Sequence, residues 1–145
     1  MKKRVSIIVL VTMLMLSLSA CGNSQLKVSD ISVSEKGEVT ASITPKKDLG
    51  EVTLRVMAKD SSGKMNFESE IPLAENFTKN SKTSFSFNLL DSKLWAGAKI
   101  SYNPFGNMFQ SFLEDSVSCE LHAAGETIAS FDIDTSKVDP QKALE

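Results

Sequence analysis

Val52-Thr53-Leu54-Arg55-Val56-Met57-Ala58-Lys59 places Val52, Leu54, Val56 and Ala58 at every second position over eight residues. A period of two lines one face of a β-strand, so this stretch predicts a strand with its apolar side turned inward. Asp60-Ser61-Ser62-Gly63 supplies turn chemistry immediately afterwards, and Met65, Phe67, Ile71 and Leu73 carry the return strand. An antiparallel hairpin therefore sits at the centre of the chain, and the flanking segments repeat its pattern.

Towards the N-terminus, Val39, Ala41 and Ile43 form one inward face, entered through a turn at Glu35-Lys36-Gly37. Before it, Leu26 and Val28 alternate. Ile31 and Val33 resume the pattern after a one-residue slip at Ser29-Asp30, which predicts a bulge. Towards the C-terminus, Phe85, Phe87 and Leu89 alternate with Ser84, Ser86 and Asn88, and Ala98, Ile100 and Tyr102 give a further strand. Val117, Cys119 and Leu121 are expected to pair with Ala129, Phe131 and Ile133 around Ala124-Gly125-Glu126. If both sets face one side, the pairing sums are even, which favours a three-residue loop. From Thr135 the chain turns polar and holds Pro140, the composition of a fraying tail.

These segments make about eight short strands with turn signals between them, which predicts an all-β fold of two antiparallel sheets face to face. The pattern is similar to immunoglobulin-like and fibronectin-type modules, although the Cys…Trp…Cys arrangement of true immunoglobulin domains is absent. One segment departs from the period of two. Phe105, Met108, Phe109, Phe112 and Leu113 fall at i, i+3, i+4, i+7 and i+8, the apolar stripe of one short helix near residues 104–114. Pro104 suits a first helical turn, and Glu114-Asp115 sit badly at the negative end, so the helix should stop there.

The first 21 residues carry a different kind of signal. Lys2-Lys3-Arg4 precede an apolar run from Val5 to Leu16, and small residues lead to Leu18-Ser19-Ala20-Cys21. That is the order of a secretory signal. Leu-Ser-Ala-Cys resembles the lipobox of bacterial lipoproteins. The resemblance implies cleavage before Cys21 and a diacylglyceryl thioether on its sulfur; no cofactor is expected. A membrane-spanning helix is the alternative, but strong apolarity ends short of the roughly 20 residues a span needs. The expected organisation is a signal peptide at 1–20, a tether at 21–25, a β-sandwich at 26–134 and a polar tail at 135–145. The implied location is the extracytoplasmic face of a bacterial envelope membrane. Gly22 would permit the outer membrane if the envelope is Gram-negative.

Removing residues 1–20 leaves 145 − 20 = 125 residues, the size of one domain. Three basic residues go with the leader, so 16 − 3 = 13 Lys and Arg face 18 Asp and Glu, a net of −5. That balance argues against nucleic acid, whose binding draws most of its affinity from basic side chains. It also leaves membrane attachment to the lipid on Cys21. With Cys21 alkylated, Cys119 has no partner for an intramolecular disulfide and reads as a small core hydrophobe.

Catalytic and metal chemistry find little to use. His122 is the single histidine, on a strand face with Glu120 and near Asp132 and Asp134 of the adjacent strand. One histidine without a usable thiol is a poor metal site and a poor basis for nucleophilic catalysis. The 105–113 stripe has two readings: a cap over one end of the sandwich, or an interaction surface formed by Phe105, Met108, Phe109, Phe112 and Leu113. The expected function is a lipid-anchored extracytoplasmic binding, accessory or scaffold module of an envelope complex, without catalysis. The alternative is a carrier of a small apolar ligand, held in a pocket near Trp95 and residues 105–113.

Overall fold

The computed structural model of the chain describes residues 26–103 and 106–145. The leader, Cys21, Pro104 and Phe105 lie outside the described residues. Eight strands form two antiparallel sheets packed as a sandwich. They are β1 Leu26–Val33, β2 Glu38–Pro45, β3 Val52–Lys59, β4 Met65–Pro72, β5 Thr83–Asn88, β6 Lys99–Ile100, β7 Ser116–Ala123 and β8 Glu126–Ile133. The smaller sheet has the order β1-β2-β5 and the larger β6-β4-β3-β7-β8.

The opening octapeptide is β3, a central strand of the larger sheet. Val52, Leu54, Val56 and Ala58 are buried against the inward faces of the smaller sheet, Val39, Ala41, Ile43, Phe85 and Phe87. Leu54 stands opposite Leu121 of β7 and Ile71 of β4, so a single register aligns three strands of apolar residues. Among the described residues, no helix is long and apolar enough to cross a membrane.

Several expectations need correction. Leu121, Cys119 and Val117 do face Ala129, Phe131 and Ile133, with the even sums foreseen. The turn, however, has two residues, Ala124 and Gly125, both with positive φ. Positive φ at both positions is what a tight hairpin turn of matching twist requires. A register shift after Leu121 pairs His122 with Thr127, and that bulge converts the odd sum of the turn into the even sum of the strands. In β1 the slip is real and Asp30 has φ 54°, but it leaves Ile31 41% exposed rather than inward. Ala98 and Tyr102 fall outside β6, which is only two residues long.

Among the described residues three short helices occur rather than one. They are α1 Ser92–Ala96, α2 Met108–Glu114 and α3 Pro140–Ala143, with a 3₁₀ turn at Thr135–Lys137. The segment after Thr135 is packed rather than frayed. Val138 is buried beside Gly37 and Leu89, the Asp139 N–H donates to the Glu35 carbonyl at 2.9 Å, and Lys142 Nζ meets Glu35 at 2.6 Å.

The two ends of the sandwich differ. Leu26 lies opposite Pro45, close to the 46–51 loop and the Ala124-Gly125 turn. The turns after β1 and β3, α2 and the C-terminal segment gather at the other end. Eight strand residues separate the two, about 26 Å.

Candidate binding surfaces

Helix α2 begins at Met108. Asn107 caps it, its side-chain oxygen accepting from the Gln110 N–H at 3.1 Å, whereas the expectation for Pro104 lies outside the described residues. It ends at Glu114, as the charges at its tail required.

The inward side of α2 belongs to the core. Phe112 is fully buried, with its ring 4.8 Å from Phe67 and 5.6 Å from Trp95, and Phe109 stacks on it at 6.3 Å. Trp95 also meets Phe67 at 4.9 Å, and its indole N–H donates to the Leu89 carbonyl at 2.5 Å. Edge-to-face and offset contacts of this kind suit aromatic quadrupoles. The exposed stripe therefore does not hold for Phe109 and Phe112, whose rings close one end of the sandwich. Leu113 is half-buried against the same cluster, and among the described residues of the stripe only Met108 stands out, at 43% exposure. Among the described residues, these rings pack against one another in the space between Trp95 and α2 that was expected to hold an apolar ligand; Phe105 lies outside the described residues.

The outer face of the larger sheet carries an ionic row. Arg55 pairs with Glu68 on β4 and with Glu120 on β7 at 3.4 Å, and His122 Nε2 lies 2.8 Å from the same Glu120 carboxylate. Burial alone would lower the Arg55 pKa, but the hydrogen bonds and charges of Glu68 and Glu120 outweigh it and hold the pKa above its ordinary value. Asp132 and Asp134 do not join His122. Asp132 faces Ser118, and Asp134 caps the 3₁₀ turn by accepting from the Ser136 N–H. Among the described residues no group of three or more His, Cys, Asp or Glu could hold a metal. Cys119 is fully buried, and desolvation, reinforced by the charge of Asp132, pushes its thiol pKa far up. A thiol so placed is a poor nucleophile.

A second polar cluster was not foreseen. Tyr102 donates to Asp115 at 2.8 Å, and the Asn66 amide donates to the same carboxylate at 3.2 Å and to Asp60 at 3.3 Å. It ties the β3–β4 turn to the end of α2. Ser69 is another inward polar residue; its hydroxyl donates to the Leu94 carbonyl at 2.5 Å and fixes α1 to β4.

At least two concavities lie away from the aromatic cap among the described residues. A cleft of about 670 Å³ opens at the Leu26 end, where Lys47, Leu49, Glu51, Glu70, His122 and Glu126 meet. A groove of about 410 Å³ runs between the second half of β4 and β5, walled by Ile71, Leu73 and Phe87 and rimmed by Glu75, Asp91 and Lys93. Both are surface features with charged rims.

No family model matches the chain, and no curated protein matches it. Among solved structures, the ligand binding region of serine-glutamate repeat protein A of Enterococcus faecium is similar. The identity is 12% over 76% of this chain and 96% of that one, with a TM-score of 0.36.

Proposed function

We propose that the chain is a lipid-anchored, extracytoplasmic module that acts by binding another envelope protein and not by catalysis. The observation that carries this reading is how the aromatic residues are used. Among the described residues, the rings of Phe109, Phe112 and Trp95 pack together where a carrier would need an apolar pocket, and the 670 and 410 Å³ clefts have charged rims. Such rims suit a polar partner surface better than a small apolar ligand. The commitment of His122 to Glu120 and the burial of Cys119 speak in the same direction.

The membrane attachment rests on Leu18-Ser19-Ala20-Cys21. Five residue steps separate Cys21 from Leu26, at most about 18 Å of chain. The 670 Å³ cleft would then face the bilayer, and α2 would point away from it.

Two experiments test the proposal. Growth with labelled palmitate should tag the wild-type chain, and Cys21→Ala should leave an uncleaved, unlabelled precursor; processing without lipid would sink the anchor. Crosslinking in intact cells followed by pull-down through a C-terminal tag should recover one discrete partner. Recovery of the chain alone at every crosslinker length would count against the binding role.

A further inference from the structure

Every sheet edge exposes unpaired backbone groups, and natural proteins guard edges with charge, proline, bulges or brevity. Three of the four edges here are guarded. Strand β1 carries Lys27 and the Asp30 bulge, β8 carries Glu126, Asp132 and its own register shift, and β6 has two residues followed along β4 by Glu70 and Pro72. Strand β5 is different. Thr83-Ser84-Phe85-Ser86-Phe87-Asn88 has no charge, no proline and no register shift against β2. Lys82, just before it, is tied to Asp30.

The Leu89 N–H donates to the Gly37 carbonyl at 2.9 Å, continuing the β2–β5 register by one pair. Backbone groups of an antiparallel strand alternate sides, so Phe87 and Phe85 also face β2. The N–H and C=O of Ser84 and Ser86 therefore point outwards, beside the 410 Å³ groove that Ser86 and Phe87 help to wall.

We infer that the β5 edge accepts an extended segment of a partner protein as an added antiparallel or parallel strand, with alternating apolar and basic residues. It rests on the reading of the chain as a binding module and names the binding edge. Backbone pairing to Ser84 and Ser86 supplies the ladder, and alternate apolar side chains enter the groove against Ile71, Leu73 and Phe87. The basic residues follow from charge. Glu70, Glu75 and Asp91 outnumber Lys93 on the rim, and none of these forms an ion pair among the described residues.

The test uses the full chain in detergent and a fluorescein-labelled heptapeptide of alternating Lys and Val, followed by fluorescence anisotropy. Binding should saturate, and an alternating Glu and Val peptide should bind more weakly by about tenfold or more. Ser86→Pro removes an outward donor without breaking a β2 bond, and Ser86→Lys places a like charge on the edge without touching the backbone. Each should weaken the Lys-Val peptide by about tenfold or more and leave the melting temperature close to wild type. Hydrogen exchange of the Ser84 and Ser86 amides should slow when the peptide is added. Equal affinity of wild type and Ser86→Lys, or no binding of either peptide, would overturn the inference. So would a Ser86-dependent dimer, since a second copy would then occupy the edge. A partner still crosslinked to Ser86→Lys in cells would overturn this edge while leaving the binding role intact.

Discussion

Replacing Phe112 by alanine separates a core cap from a free surface more sharply than any other change in this chain. The side chain is 0% exposed and contacts Phe67, Trp95 and Phe109, so truncation removes a full ring from a packed cluster. Such substitutions cost about 3–5 kcal/mol, and about 4 is a fair value for a site surrounded by three other rings. A domain of about 120 residues unfolds with an entropy near 0.25 kcal/mol per kelvin, so the melting temperature should fall by about 16 °C. Met108→Ser on the same helix, at 43% exposure, should cost well under about 1 kcal/mol. Urea titration of both variants, with the slope checked for two-state behaviour, gives the comparison. A Phe112→Ala loss below about 1 kcal/mol would refute the packing argument and return the stripe to the surface.

Three further outcomes are expected. Cys119 and Tyr102 both titrate above their ordinary values of 9.0 and 10.0, each chiefly because of burial, with Asp115 adding to the Tyr102 shift. A raised folded pKa means their contribution is complete below pH 9 and is lost above it, by up to about 1.4 kcal/mol per pH unit and group; Cys119→Val should remove the part that begins near pH 9 in a pH series of urea melts. Arg55→Met leaves Glu68 without its ion-pair partner and Glu120 with His122 alone, and should cost about 1–3 kcal/mol at pH 7, as urea denaturation of the variant would show. Ending the chain at Asp134 uncovers Gly37 and Leu89 by removing Val138 and should cost about 2 kcal/mol or more, whereas a frayed tail would leave the melting temperature unmoved.

The strands with an unbroken period of two were legible from their residues. Val52 to Ala58 declared both its length and its face, and Val117 to Leu121 matched Ala129 to Ile133 in register. What escaped detection involved residues whose role depends on a distant contact. Ser69 breaks an apolar face in sequence, and only the Leu94 carbonyl explains it. Val138 is one apolar residue in a polar stretch, too little to signal burial until Gly37 is beside it. The two-residue turn at Ala124-Gly125 was hidden because parity arguments assume an unbroken ladder, and the bulge after Leu121 breaks it. The helical stripe was readable as a helix, but its choice between cap and surface depended on Phe67 and Trp95, which lie far away in sequence.

The opposite placement of Leu26 and α2 has a mechanical consequence. A pull on the chain at Leu26, resisted at the α2 end, runs along β1 and nearly at right angles to its hydrogen bonds with β2. Those bonds would bear the load together, in shear, rather than opening one after another like a zip. A load applied at the far end of β1 and across the sheet would peel the same strand pair by pair. Strand direction therefore makes this sandwich stiff along the line from its first described residue to its aromatic cap, and yielding across it.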